Sequence, residues 1–137
     1  MGWSMKKPSK QWVEFGQIID IIDIRIGKQQ RKLIKLKKDQ QALFAQIHAL
    51  WEQIEQEQNV LKTLKMLDEK NALERLFLRR EDCKSQIESF YFDVSIKQQQ
   101  SEVLALEIEA TEAEKRQLEK RKDALGELRE LIRDEKA

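Results

Sequence analysis

The chain has 137 residues, 37% of them charged and 40% hydrophobic, with a formal net charge of +1. That balance argues against a nucleic-acid-binding protein, which usually carries a strong basic excess. A single cysteine, Cys83, excludes a disulfide framework or a thiolate metal site and fits a reducing compartment. No run of about 20 uncharged apolar residues is present to span a bilayer. The N-terminus shows no apolar secretory core, and Lys6 stands where a myristoylation signal wants Ser or Thr. The expectation is a soluble, cytoplasmic protein. Pro8 is the only proline, and the four glycines are Gly2, Gly16, Gly27 and Gly126, so no helix breaker falls between Lys28 and Leu125. A composition rich in Leu, Ile, Lys, Glu, Gln and Arg is that of long helices and coiled coils.

Residues 1–10 read as a flexible lead-in, with Pro8 suited to a first helical turn and Ser4 or Ser9 as its cap. From there apolar residues recur at alternating spacings of three and four: Trp12, Phe15, Ile19, Ile22, Ile26, Leu33, Leu36, Leu43, Ile47, Leu50, Ile54, Leu61 and Leu64. Only Gln29, Gln40 and Glu57 interrupt this ladder, so thirteen of sixteen positions are apolar. Such a pattern predicts a coiled-coil helix over about residues 11–66. Continued past Leu64, the ladder meets Asp68, Asn71 and Arg75 and dies. A new phase begins at Leu73 and runs through Leu76, Arg80, Cys83, Ile87, Phe90, Val94, Lys97, Ser101, Leu104 and Ile108, then Leu118, Leu125 and Ile132. The change of phase fits neither a continued heptad nor a four-residue stutter. Asp68 and Asn71, which tolerate turn geometry, lie in the gap. The spacing therefore predicts an all-α fold of two long antiparallel helices, a coiled-coil hairpin in a single domain over residues 11–137. The turn falls near Met66–Asn71 and the second helix covers about 71–134.

Pairing outward from that turn sets Leu61 against Leu76, Ile54 against Cys83 and Leu43 against Val94, and makes Glu57 and Arg80 an ion pair. Seven basic residues between Arg25 and Lys38, with no acid among them, would face Glu102, Glu107, Glu109 and Glu112. Opposite-charge flanks of this kind set register and orientation. Each helix, at about 1.5 Å per residue, would run about 85–95 Å.

No catalytic constellation emerges. His48 falls beside the seam with no second histidine, Cys83 is a small apolar filler, and no Gly-rich phosphate loop is present. The protein is expected not to be an enzyme and to need no cofactor or metal. The basic run reads as a solvated face matched by glutamates rather than a nucleic-acid site, since aromatic interleaving is missing. Residues 12–26 add Val13, Ile18, Ile21 and Ile24 to the seam, which makes this end apolar nearly all round. Two readings stay open: self-association of this end, or insertion into a socket on another protein. Along the second helix an outward stripe of Leu78, Phe92, Ile96, Val103, Leu106 and Ala110 lies off the main seam and suggests a groove- or helix-binding partner.

The ladder from Trp12 to Leu64, the break at Met66–Asn71 and the segments Leu73–Ile87 and Glu112–Arg121 together resemble the FliJ/YscO/SpaM family, the central stalk proteins of flagellar and virulence type III secretion systems. The last two segments look most like its SpaM/InvI-type branch. The resemblance covers nearly the whole chain, rests on distributed features and has no short motif. It implies a stalk similar to the γ subunit of rotary ATPases, located in the bacterial cytoplasm against the inner-membrane export apparatus. The end carrying both termini would enter the pore of the hexameric secretion ATPase through Trp12, Phe15, Ile18, Ile19, Ile21 and Ile22 with Leu125, Leu128 and Ile132. Phe77, Arg79 and Arg80 with the Asp68–Asn71 turn would face an export gate protein, and secretion chaperones are further partners. Nucleic acid and membrane insertion are not expected, and the isolated chain would be a monomer or weak dimer. The alternative is a generic coiled-coil scaffold or tether that associates through its apolar open end.

Overall fold

The structure, a computed structural model, describes residues 9–65 and 70–135. Two long helices, α1 (Lys10–Thr63) and α2 (Ala72–Glu135), pack against each other as an antiparallel all-α hairpin, and there is no strand among the described residues. The sequence placed the end of the first helix three residues too late and the start of the second one residue too early. Within the expected turn, Met66–Glu69, including Asp68, lie outside the described residues, as do Ser4 and Pro8 of the lead-in.

Local chemistry explains the ends that are described. Ser9 caps α1: its Oγ accepts from the Trp12 N–H at 3.1 Å, and its carbonyl accepts from the Val13 N–H at 3.1 Å. At the other end Thr63 turns its hydroxyl back onto the carbonyls of Asn59 (3.0 Å) and Val60 (3.2 Å). A Thr hydroxyl used this way offers the last turn an alternative to continued helix. Asn71 has a φ of 62°, the left-handed region that Asn tolerates better than most residues. Its carbonyl receives the Arg75 N–H at 3.0 Å and so begins α2.

All sixteen positions of the first ladder, Trp12 through Leu64, are buried or half-buried, including Gln29, Gln40 and Glu57. On α2 the same alternation runs unbroken from Cys83 to Ile132, because Thr111, Lys115, Lys122 and Arg129 fill the positions the apolar pattern skips. Leu73 and Arg80, two expected seam residues, are instead exposed, Leu73 at 72%. They belong to the first turns of α2, where the seam is not yet closed.

The chain divides into two compact units. A terminal unit is built from the chain up to Lys37 and the chain from Glu107 onward; a central unit comprises Lys38–Leu106. The core of the terminal unit is Ile22, Leu33, Leu36 and Ile108 with the buried Thr111, whose hydroxyl donates to the Glu107 carbonyl at 2.7 Å. Antiparallel contacts within it are Trp12 with Arg129, Asp23 with Lys122 and Lys37 with Glu112. The central unit buries Ile54, Cys83 and Val94. There Trp51 meets Tyr91 edge to face, with ring centroids 5.6 Å apart and planes at 81°. The Gln58 amide donates to the Tyr91 hydroxyl at 3.3 Å.

The expected register does not hold. Glu57 was set against Arg80, but its carboxylate lies beside the Cys83 thiol, a helical turn further along α2. Among the described residues no ion pair joins Glu57 to Arg80. In the terminal unit, of the six basic residues from Arg25 to Lys37, Lys37 alone among the described residues has an ion pair to a carboxylate on α2, Glu112 at 3.4 Å. The reason is physical: exposed charge pairs are each worth well under about 1 kcal/mol, whereas one fully buried Ile contributes roughly 1.5–3 kcal/mol. Burial of the apolar ladder therefore outweighs the charges, and because Leu73, where the expected pairing begins, is exposed, that burial sets in further along α2.

Candidate functional site

The two ends singled out from the sequence lie in different units. In the terminal unit, Ser9 starts α1 so that Trp12 falls in its first turn, where α2 presents Arg129. The Arg129 guanidinium stacks 3.6 Å over the Trp12 ring, and its Nε donates to the Trp12 carbonyl at 3.1 Å. Gly16, one turn on, makes room for this. A Cβ there would stand 2.6 Å from an Arg129 terminal nitrogen. Trp12 Nε1 is buried with no hydrogen-bond partner. Further along, Lys122 grips Asp23 at 2.6 Å. Its ammonium pKa is raised above the ordinary lysine value, first by that hydrogen bond and then by the Asp23 charge.

Of the nine residues expected at this end, Trp12, Phe15, Ile19, Leu125 and Ile132 are half-buried, and Ile22 is only 2% exposed. These six pack helix on helix, and Ile22 can touch no partner while the helices stay together. Three face outward: Ile18, Ile21 (52% exposed) and Leu128 (48%). Beside them the structure adds residues missing from the expected set: Ile24, the most exposed at 70%, with Val13 and Leu131. Val13, Ile21 and Ile24 recur at helical spacing on the side of α1 turned away from the seam. Leu131 also lines an open groove of about 830 Å³ with Ile19, Lys122, Asp123, Gly126, Glu127 and Glu130. Val13 and Ile24 were legible as surplus apolar residues. Arg129 was not, because a basic residue at a seam position carries no apolar signal.

In the central unit, Phe77 is 60% exposed, and Arg79 and Arg80 are exposed. Phe77 and Arg80 share a small groove of about 210 Å³ with Leu73, Leu76, Glu81 and Lys84; Arg79 does not line it. The Cys83 thiol is buried in the seam of this unit. Burial pushes its pKa up, and the adjacent Glu57 carboxylate adds to the rise. A thiol held protonated is a poor nucleophile. His48 sits on the surface with Glu52 at 3.1 Å, an i, i+4 neighbour. Among the described residues no cluster of three or more His, Cys, Asp or Glu is arranged to hold a metal ion, and no helix is long and apolar enough to cross a membrane. What both units present is apolar surface on helices, which is chemistry for recognising other proteins.

No family model, curated protein or solved structure matches the chain.

Proposed function

We propose that the protein is a non-enzymatic stalk or adaptor of a type III secretion export apparatus. It enters the ring of a hexameric secretion ATPase with its terminal unit and engages an export gate protein through the region of Phe77, Arg79 and Arg80. Its place is the bacterial cytoplasm, against the inner-membrane apparatus, with secretion chaperones as further partners. The resemblance of the seam ladders and the break to the FliJ/YscO/SpaM family supports this reading. The observation that carries it is the outward apolar face of the terminal unit, Ile21 and Ile24 above all, at 52% and 70% exposure. Large aliphatic side chains so placed, beside a helix pair that already has its seam, are a surface for a second protein.

The test is to add the purified chain to the cognate ATPase. Stimulated hydrolysis or hexamer formation is expected, with loss of either on Ile21→Lys with Ile24→Lys while circular dichroism stays unchanged. Absence of binding and of stimulation would refute the stalk reading. A tight dimer in light scattering, dissociated by the same two substitutions, would favour the scaffold that associates through this end.

A further inference from the structure

A different surface, in the central unit, carries an inference that does not depend on the stalk reading. On α2 between Ser85 and Leu106 the positions facing away from α1 form a second ladder of alternating three and four: Ser85, Ser89, Phe92, Ile96, Gln99, Val103 and Leu106. All seven are exposed, with Phe92 at 66%, Val103 at 60% and Leu106 at 67%. A solvated helix back has no reason to repeat apolar residues at this period. A coiled-coil seam requires it, because only that period keeps knobs on a neighbouring helix. Its apolar members, Phe92 to Leu106, cover about 20 Å of helix, about two heptads, and Ser85, Ser89 and Gln99 are its polar positions.

Charge says what kind of helix fits. The edges of this stripe carry Glu88 and Glu102 on one side and Asp93 on the other. Among the described residues none of the three takes part in an ion pair. The one base between Ser85 and Leu106, Lys97, is half-buried on the seam side. A second copy of the chain is a poor occupant. In a parallel pair Glu88 would face Asp93 of the other copy, and in an antiparallel pair the glutamate edges would face each other. We infer that the stripe Phe92–Ile96–Val103–Leu106 is a docking seam for an amphipathic helix of another protein, one whose apolar stripe is flanked by lysine or arginine.

The experiment uses the full chain and two synthetic helical peptides of three heptads. Both have Leu and Ile on the seam, with Lys on both flanks of one and Glu on both flanks of the other. Fluorescence anisotropy should show the Lys-flanked peptide binding at least about tenfold tighter, the sum of two or three modest charge pairs. Phe92→Glu with Val103→Glu should abolish binding, and Glu88→Lys with Glu102→Lys should reverse the preference. Equal binding of both peptides overturns the inference. So does binding that survives Phe92→Glu with Val103→Glu, or a dimer of the chain itself that Phe92→Glu dissociates. Should the apolar-to-acid variant fail to fold, the exposed charge-reversed variant still decides the question by its preference. The secretion ATPase takes no part in this assay, so the stalk reading can fail without touching the outcome.

Discussion

The terminal and central units are the same two helices held together by different chemistry. In the terminal unit the contacts across the seam are charged: Arg129 stacked on Trp12, Lys122 on Asp23, Lys37 on Glu112. In the central unit no ion pair crosses the seam among the described residues: Trp51 packs on Tyr91, Gln58 donates to the Tyr91 hydroxyl, and a protonated Cys83 lies beside the Glu57 carboxylate. The outward faces differ too. The terminal unit shows aliphatic residues on α1, while the central unit shows an acid-edged stripe on α2. A heptad ladder thus fixes that two helices pair, and leaves the choice of cross-seam chemistry and of outer surface free to vary along the pair. That freedom gives one simple hairpin two different outer surfaces.

The largest test of this comparison removes one anchor from each unit. Ile22 and Ile54 are the most deeply buried side chains, each 2% exposed. Ile22→Ala and Ile54→Ala should each cost about 2–5 kcal/mol in denaturant unfolding. Ile24→Ala, at an exposed position, should stay within about 0.5 kcal/mol. Hydrogen exchange should report the loss locally: Ile22→Ala accelerates amides of the terminal unit more than those of the central unit, and Ile54→Ala does the reverse. Uniform acceleration by either variant would show that the units do not open separately.

The charged clasp of the terminal unit is the next to break. Arg129→Met removes the stacking on Trp12 and the bond to its carbonyl, and should destabilise the chain by about 1–2 kcal/mol. Gly16 sharpens the point. Alanine is favoured over glycine inside a helix by about 1 kcal/mol, but here its methyl would displace the guanidinium. Gly16→Ala should therefore gain little in the native chain and about 1 kcal/mol in the Arg129→Met background. Thermal denaturation of the four proteins gives the coupling directly.

A smaller effect of opposite sign is expected at Gln29, a seam residue whose Oε1 is buried without a hydrogen-bond partner. An unsatisfied buried carbonyl costs about 1–3 kcal/mol, so Gln29→Leu should raise the melting temperature. A polar residue in a seam can also hold register. If that is its role, Gln29→Leu should gain stability while the Lys37–Glu112 contact, followed by cross-linking, becomes heterogeneous.

The same contrast between burial and charge explains what was legible in the sequence. All sixteen positions of the α1 ladder are buried or half-buried, because a sustained apolar ladder at the coiled-coil period keeps one face on the neighbouring helix. The α2 stripe was legible by its period as well, although its residues are exposed. The register was not: pairing outward from the turn starts at Leu73, which is exposed, and neither the Glu57–Arg80 match nor the Arg25–Lys38 run is strong enough to choose among registers. Arg129 is not legible, because its contribution comes from a flat guanidinium over a ring and a missing Cβ at Gly16, neither of which leaves a periodic mark. Of the nine residues expected to meet a partner at the terminal end, six pack in the seam, because apolarity alone does not distinguish the inner face of a helix from the outer.

The least costly probe of the central unit is its thiol. Burial raises the Cys83 pKa and the Glu57 carboxylate raises it further. For a group whose folded pKa lies above its unfolded value, the folded state holds the proton more tightly. Its stabilising contribution is complete below the ordinary thiol pKa and is lost as pH rises through the higher, folded value. Neutral pH is therefore on the plateau, and stability should begin to fall only in alkaline solution. Reaction with a thiol reagent reads the same equilibrium, because only the thiolate reacts. The pH midpoint for the folded chain should lie above that for the chain in denaturant. Glu57→Gln removes the charge but not the burial, so it should move the folded midpoint part of the way down. A midpoint that fell all the way to the denatured value would assign the whole rise to Glu57 and none to burial. In that case the neutral seam of the central unit would owe its protonated thiol to one carboxylate, and the contrast with the charged terminal unit would be one of degree.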